Sequence, residues 1–240
     1  MNEWNDITVI TPSGDIDIST VPALRNRVDG ALQSGIVRVI VNCQSVSFID
    51  STGVAFLLSR ARTIMRREGM LSLVNASPQV VRFLQIARLI DILHVSAASK
   101  PPIPVLSPDK APQWSKCLSV CEGIENLSYY RRRVSEMLEA VPLSRDARFD
   151  VALAVGEALG NAYDHAGGKG CTLTVRAYDD RVVIEVADQG AGFELAAGEE
   201  PRQTDERGRG IRLMRMLVDS VEIRKRTDVS GTFVRLIKLL

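Results

Sequence analysis

The apolar positions in the first hundred residues follow two different periods. Short runs rich in β-branched residues predict strands: ITVITPSG from residue 7, IVRVIVN from residue 36 and MLSLVN from residue 70. Each run is followed by apolar residues at helical spacing, and the clearest helix should begin near Ser51 and end before Gly69. A further helix is predicted over 78–88, with a short strand around Ile92. Strands that alternate with helices are typical of an α/β fold.

The residues from 113 onward show another order of elements. Helices are predicted over 124–141 and from residue 146 to about residue 165. Two strand-like runs, CTLTVRAY and RVVIEVAD, follow and are joined in hairpin fashion at Asp179-Asp180. After a polar stretch over 194–207 come a helix near 211–218 and the strand-like runs VEIRKR and GTFVRLIKL. Helices on one face of a largely antiparallel sheet form an α/β sandwich.

Proline marks the division between these two patterns. Half of the ten prolines lie in the segment SKPPIPVLSPDKAPQ, between residues 101 and 112. Because proline lacks a backbone donor and fixes φ, this segment cannot form a helix or an inner strand. It is expected to be an extended linker with a reach of about 3 Å per residue. We therefore predict two domains, 1–98 and 113–240, joined by a Pro-rich linker over 99–112.

Composition and charge exclude several classes of protein but do not identify a function. Lys plus Arg number 30 and Asp plus Glu 29, so no overall basic surface favours nucleic acid as a partner. No run approaches the roughly 18 apolar residues of a membrane helix, and the N-terminus lacks a signal-peptide pattern. The four cysteines form no C-x-x-C pair: Cys43, Cys117, Cys121 and Cys171. We expect reduced thiols in a cytoplasmic protein with no membrane partner.

The first candidate motif is Asp50-Ser51-Thr52-Gly53, at the predicted start of a helix. Free backbone N–H groups and the helix dipole would favour a phosphate on Ser51, which would add about two negative charges. From these four residues alone, a simple capping role is the favoured interpretation. Thr52 stands beside Ser51, so either hydroxyl is a candidate acceptor.

The second candidate is a set of polar residues and glycines that recur in order along the second domain. Glu157 and Asn161 are four apart in LAVGEALGNAYDHAGG and so share a helix face. A carboxylate and an amide suit Mg²⁺ and a phosphoryl acceptor. The strand RVVIEVAD then runs into DQGAGF, where Asp188 can accept from the amine of adenine. Gly190 and Gly192 would let the backbone approach such a ligand.

Further along, GRGIRLM places Gly208 and Gly210 at the opening of a helix whose N–H groups can hold phosphates. Each of these pieces alone is weak, because a glycine pair is usually a turn and a Glu-to-Asn spacing is usually accidental. The ordered set on the expected elements indicates a nucleotide site. No G-x-x-x-x-G-K-[ST] occurs, so an ordinary P-loop is excluded.

The motifs ExxxNxxxHA, DxGxGF, GxGI and the late Gly231-Thr232 resemble the nucleotide-binding boxes of the GHKL superfamily, which includes gyrase, Hsp90, histidine kinases and MutL. GRGIRLMRMLVDSVEI in a short domain is similar to the anti-sigma-factor serine kinases. GDIDISTVPALR and FIDSTGVAFL resemble a STAS domain of the anti-sigma-factor antagonist class. The resemblance implies an α/β protein, with an N-terminal STAS-like mixed sheet with helices and a C-terminal GHKL (Bergerat) α/β sandwich.

The resemblance also implies a role for each matching residue. In that family the kinase phosphorylates the first serine of D-S-[ST]-G, here Ser51, and Glu157 matches the general base. Asn161 matches the Mg²⁺ ligand, Asp188 the adenine-recognising residue, and Arg207 an arginine near the γ-phosphate. The full set that matches the ATP site comprises Asn161, Asp188, Gly190, Gly192, Arg207, Gly208, Gly210 and Thr232.

The implied function is a partner-switching regulator that uses ATP and Mg²⁺. It would be a protein serine/threonine kinase and anti-sigma factor that phosphorylates its own Ser51, or a serine on a STAS-domain partner. One alternative is a non-catalytic module in which nucleotide only sets conformation, and another is an ATPase of a different GHKL branch. Glu157 favours the kinase over the binder, because a binder has little need of a base. The absence of the histidine and transducer domains of other GHKL branches disfavours the ATPase.

The resemblance implies partners as well. These are a sigma factor or other client protein, a STAS domain in cis or in trans, a PP2C-type phosphatase, and a second copy of the chain through the kinase domain.

Overall fold

The computed structural model describes residues 7–100, 102–107, 109–120, 127–166, 170–196 and 206–240, except for the side chains of residues 127, 128, 206 and 207. The chain divides into two compact units, Met1–Lys100 and Pro101–Leu240. In the described ranges, no helix combines the length and the apolar character needed to cross a bilayer.

The first unit contains a three-stranded parallel sheet in the order β1-β2-β3. Its strands are β1 (Ile7–Ile10), β2 (Arg38–Asn42) and β3 (Met70–Val74), and its helices are α1 (Val21–Gln33), α2 (Ser51–Met65) and α3 (Pro78–Ile86). Every residue of β2 and β3 is buried, as is typical of parallel strands covered on both faces. The predicted alternation of strands and helices is confirmed for these six elements.

The strand predicted around Ile92 is wrong. Residues 91–94 form a turn, in which Leu93 donates its N–H to Leu89 and lies fully buried while Ile92 remains 43% exposed. The sheet-like contact instead comes later, where Ala97 bridges Ala76. A short apolar run fits a strand and a turn equally well, and here the packing of Leu93 into the core decided between them.

The second unit is a five-stranded antiparallel sheet in the order β4-β5-β6-β8-β7. Its strands are β4 (Trp114–Val120), β5 (Cys171–Ala177), β6 (Arg181–Asp188), β7 (Ser220–Lys225) and β8 (Thr232–Leu239), and its helices are α4 (Leu127–Leu138), α5 (Arg145–Ala166) and α6 (Glu206–Leu217). Helix α5 is buried through most of its second half and contacts β5, β6 and β8, with α4 and α6 beside it. The predicted fold class is confirmed for both units.

Two elements of the second unit differ from the prediction. It begins with the strand β4 rather than with a helix. This strand was not predicted because it lies at the edge of the sheet, and its residues other than Val120 are exposed or half-buried and so show no clear apolar alternation. Helix α6 begins at Glu206 rather than near residue 211. Gly208 and Gly210 therefore lie within its first turns rather than before it.

Part of the Pro-rich segment lies against the hairpin that joins β5 to β6. The carbonyl of Pro104 accepts a hydrogen bond of 2.6 Å from Nη1 of Arg181, whose side chain is 3% exposed. Lys110 pairs with Asp179 at 3.5 Å and with Asp180 at 3.8 Å. Pro104 and Lys110, which lie within the predicted linker over 99–112, are therefore held against the second unit.

The cysteines show no pairing among the described residues, in which Cys43, Cys117 and Cys171 carry free thiols. Cys121 lies outside the described residues. Burial raises the pKa of Cys43 to about 12. Burial, together with the charge of Asp188, also raises the pKa of Cys171 to about 12. Both of these buried thiols therefore stay protonated at neutral pH and are poor nucleophiles.

Candidate functional site

A small cavity separates α5 from the sheet at the end of β6. Its wall is formed by Asn161 and His165 of α5, Asp188 and Thr232 at two strand ends, and the apolar side chains of Phe193 and Ile211, among others. The cavity measures about 20 Å³, which is the room of one water molecule.

Asp188 is the polar centre of this cavity and is only 4% exposed. Its Oδ1 accepts backbone hydrogen bonds from Gly190 at 2.8 Å and from Thr232 at 2.9 Å, so the carboxylate is held in a fixed orientation. Within the described ranges, Oδ2 accepts no hydrogen bond of this kind. A carboxylate oxygen in that position can accept from an exocyclic amine of a ligand.

The glycines around Asp188 are required by close backbone approaches. A Cβ on Gly190 would lie 2.3 Å from the carbonyl oxygen of His165, and a Cβ on Gly231 would lie 2.1 Å from that of Asp188. Gly192 has a φ of +82°, a conformation that favours glycine. The three glycines thus let the loop after β6 and the turn before β8 close around the end of the cavity.

Glu157 and Asn161 of α5 meet the first turns of α6 at Gly210. A Cβ on Gly210 would lie 2.8 Å from Oε2 of Glu157 and 3.4 Å from Nδ2 of Asn161. Any larger residue at this position would displace one of the two polar side chains. Because Gly210 has no side chain, the N-terminal turns of α6 can lie directly against Glu157 and Asn161 of α5.

The charge of Glu157 is controlled by burial and by two arginines. Burial raises the pKa of the carboxyl group, while the nearby charges of Arg131 on α4 and Arg209 on α6 lower it. A carboxylate with a raised pKa is a stronger proton acceptor. Glu157 can therefore act chemically as a base, provided that it is ionised.

The donor atoms at this junction are compatible with Mg²⁺. The amide oxygen of Asn161 is a hard oxygen ligand of the kind that this ion prefers. No cluster of three or more acidic, His or Cys side chains occurs among the described residues. A Mg²⁺ ion here would thus take its other ligands from water and from substrate phosphates, as this ion commonly does.

Ser51 lies in the first unit, where it is the exposed first residue of α2. The cap of α2 is its neighbour Asp50, whose Oδ1 accepts from the N–H of Gly53 at 2.6 Å and whose Oδ2 accepts from Ile18 at 3.1 Å. The capping role that the sequence left open between these residues therefore belongs to Asp50. The hydroxyl of Ser51 is available for other chemistry.

The structure brings most of the second-domain candidates together. Asn161, Asp188 and Thr232 line one cavity, while Glu157 and Gly210 adjoin it through Asn161. Gly208 is buried in α6, and the side chain of Arg207 lies outside the described residues, as do residues 197–205 of the polar stretch.

Sequence reasoning missed Arg131 and Phe193. Phe193 is the last residue of the motif DxGxGF, but it was given no role of its own. Arg131 has no local signal, because only the packing of α4 on α5 brings it to Glu157.

Comparison with known proteins gives two family matches. Residues 1–100 match the STAS domain, and residues 123–238 match the histidine kinase-like ATPase domain. The anti-sigma-B factor antagonist of Bacillus subtilis is 34% identical over 97 residues, which is 40% of this chain and 86% of that protein. The anti-sigma-B factor antagonist of Staphylococcus aureus is 28% identical over 87 residues, 36% of this chain and 81% of that protein. A solved structure of the anti-sigma factor antagonist SpoIIAA in its unphosphorylated form is 28% identical, with a TM-score of 0.35, over 39% of this chain and 82% of that chain.

Proposed function

Because the chain belongs to the STAS family of anti-sigma-factor antagonists and also carries a histidine kinase-like ATPase domain, we propose that it is a partner-switching regulator with ATP-dependent protein serine kinase activity. The supporting observation is the meeting of Glu157 and Asn161 with Gly210, beside the cavity that contains Asp188. A binder of nucleotide needs the cavity, whereas a kinase also needs a base at the phosphate end of it.

In this proposal the terminal phosphoryl group of ATP moves to a serine hydroxyl, giving phosphoserine and ADP. Glu157 accepts the proton that the hydroxyl loses, and Asp188 accepts from the amine of adenine. Asn161 would hold Mg²⁺, which when bound neutralises phosphate charge. The N-terminal turns of α6 with Gly208 and Gly210, and Arg207 by resemblance, would face the phosphates.

Ser51 is the proposed acceptor, in the same chain or in a STAS-domain partner. Its exposure at the start of α2 and the assignment of the cap to Asp50 support this choice over a structural role. Phosphorylation would add about two negative charges at this surface. That change would alter the choice among partners, which we propose to be a sigma factor or other client, a second copy of the chain and a PP2C-type phosphatase. We expect this exchange to take place in the cytoplasm.

The test is incubation of the full chain with [γ-³²P]ATP and Mg²⁺, followed by mapping of the phosphorylated residue. We expect label on Ser51 in the wild type, its loss in Ser51→Ala and its retention in Thr52→Val. Glu157→Gln keeps the size of the side chain but removes the base. It should bind ATP nearly normally while transfer falls by about 100-fold or more.

Two outcomes would contradict the proposal. Unchanged transfer in Glu157→Gln would make Glu157 a structural residue rather than the base. A wild-type chain that binds ATP but labels neither itself nor an added STAS domain would be a non-catalytic nucleotide-dependent module.

A further inference from the structure

Arg131 reaches the candidate site from a helix that carries none of the family motifs. We propose that Arg131 is a positioning residue for phosphoryl transfer: its side chain lies in the gap left by Gly156, and its guanidinium orients the carboxylate of Glu157 toward Gly210. This inference rests on the proposed kinase function. It assigns a role to α4 that neither the sequence motifs nor the family matches supply.

The gap at Gly156 is the geometric basis of the inference. Gly156 is buried in the middle of α5, where glycine is otherwise less favourable than alanine. A Cβ at this position would lie 2.9 Å from Cδ and 3.2 Å from Cγ of Arg131. Arg131 therefore lies directly on the backbone of α5, one residue before Glu157. A glycine that weakens its helix here makes room for an arginine side chain.

The electrostatic surroundings agree with this placement. Burial opposes the charged form of Glu157, and two cations offset that cost, Arg131 with the larger effect and Arg209 with the smaller. Arg131 is half-buried on α4, whereas Arg209 is exposed on α6. The half-buried cation is less screened by solvent, so its interaction with the carboxylate is the stronger one.

Fixing Glu157 matters because Gly210 leaves it little room. Oε2 of Glu157 would lie only 2.8 Å from a Cβ on Gly210, so the carboxylate lies directly against α6. A base that rotates away from this junction no longer faces the hydroxyl that it must deprotonate. Groups that orient such a residue from behind commonly contribute 10–100-fold to activity, by analogy with the residues that orient metal ligands.

The test uses two independent ways of removing the guanidinium from its place in the full chain. Arg131→Met keeps the length of the side chain and removes its charge, whereas Gly156→Ala displaces the arginine without changing it. Both should lower the rate of Ser51 phosphorylation at saturating ATP by about tenfold, with ATP affinity within about twofold of wild type. Arg131→Lys should restore part of the rate.

Gly156→Ala gives a readout that a merely structural role would not produce. Alanine favours the helix, so this variant should unfold at an equal or higher urea concentration than wild type while its transfer rate falls. Its control is Gly30→Ala in α1, where a Cβ meets nothing within 4 Å, and which should leave transfer unchanged. Arg132→Met changes the exposed residue next to Arg131. It is a control for nonspecific electrostatic attraction between α4 and an acidic protein substrate.

A third measurement is independent of kinase activity. In a double-mutant cycle on urea unfolding, Arg131→Met should destabilise the wild type more than it destabilises Glu157→Gln, by about threefold in the unfolding constant. Additive effects would overturn the positioning role even if the chain proved to be a kinase. An equal loss of rate in Arg132→Met, or normal rates in Arg131→Met and Gly156→Ala, would also overturn it. A measured coupling in a chain that transfers no phosphate would instead place the failure in the proposed function.

Discussion

At the scale of single residues, the two carboxylate oxygens of Asp188 have different surroundings. Oδ1 joins the loop after β6 to the start of β8, through the backbone N–H groups of Gly190 and Thr232. Cys171, which pairs with Asp188 across the sheet, is buried beside it. The same side chain therefore closes the end of the cavity through one oxygen, while its second oxygen is available to a ligand.

The difference between the two oxygens leads to a prediction for Asp188→Asn. The amide oxygen can replace Oδ1 and preserve both backbone hydrogen bonds, but the amide NH₂ would then face the amine of adenine. Two donors in contact should weaken ATP binding by about 1–3 kcal/mol, the cost of a mispaired buried polar group. Calorimetric titration with ATP measures this loss. Asp109→Asn, on an exposed segment, is the matched control, and equal ATP affinity for Asp188→Asn and wild type would show that the site is assigned wrongly.

The surroundings of Glu157 predict the pH dependence of transfer. Burial raises its pKa above the ordinary value of 4.5, although Arg131 and Arg209 partly offset the shift. Because the base must be ionised, kcat/KM for phosphoryl transfer should rise with pH through a midpoint above 4.5. Removing the charge at Arg131 should move this midpoint to higher pH. A rate profile that is flat between pH 4.5 and 7 in both proteins would contradict the role of Glu157.

The same shift affects stability with a defined sign. A folded-state pKa above the unfolded value means that the folded state holds its proton more tightly. The contribution of Glu157 to stability is therefore fully present below pH 4.5 and is lost as the pH rises through the folded-state pKa. Glu157→Gln, which does not titrate, should abolish this part of the pH dependence of urea unfolding.

At the scale of elements, α2 shows how a serine can be the first residue of a helix without capping it. Asp50 caps the helix through the N–H of Gly53, and Gly53 is needed because a Cβ there would lie 2.4 Å from the carbonyl oxygen of Ile16. The D-S-T-G motif thus contains two residues fixed by the fold and one exposed hydroxyl. The spacing of the motif reflects the cap and the close approach as much as the chemistry.

These contacts predict opposite outcomes for neighbouring substitutions. Asp50→Ala removes the cap and should lower the free energy of unfolding by about 1 kcal/mol or more. Ser51→Ala removes no cap and should change it by less than about 0.5 kcal/mol. Urea unfolding followed by circular dichroism measures both. A loss in Ser51→Ala as large as that in Asp50→Ala would return Ser51 to a structural role.

At the scale of the whole molecule, the joining segment is partly a component of the second unit. Arg181 is held by both oxygens of Asp180, at 3.1 and 2.6 Å, and holds the carbonyl of Pro104 in turn. Gln113 then donates its backbone N–H to Ala177, immediately before β4 begins. The described contacts thus fix the segment to the second unit at Pro104 and again at Gln113.

Loss of this attachment should expose the segment to proteases. Arg181→Ala removes a charged donor from Pro104, a hydrogen bond of the kind that contributes about 1.5–3 kcal/mol. Trypsin cleavage at Lys110 should therefore become about tenfold faster or more, since cleavage follows the population of the open form. Arg132→Ala, at an exposed position on α4, is the control. Equal cleavage rates in wild type and Arg181→Ala would mean that the attachment does not restrain the segment.

The sequence by itself determined the two-unit plan, the class of each fold and the family. These follow from local signals: the period of apolar residues, the proline cluster, and short motifs such as DxGxGF, whose residues are close together in the sequence. Asp188, Gly190 and Thr232 could be named in advance as candidates because each lies in a recognisable motif, although Asp188 and Thr232 are 44 residues apart and meet only in the fold. The exposed edge strand β4 could not, since its residues lack a buried face that would mark them.

Only the tertiary structure decided which residues meet across elements. The second carboxylate oxygen of Asp50 accepts a hydrogen bond from Ile18, which is 32 residues away in the chain. Pro104 is fixed by Arg181, which is 77 residues away in the chain. Arg131 reaches Glu157 because α4 packs on α5 where Gly156 has no side chain. Such contacts depend on the packing of whole helices and hairpins, and residues brought together in this way leave no periodic trace in the sequence.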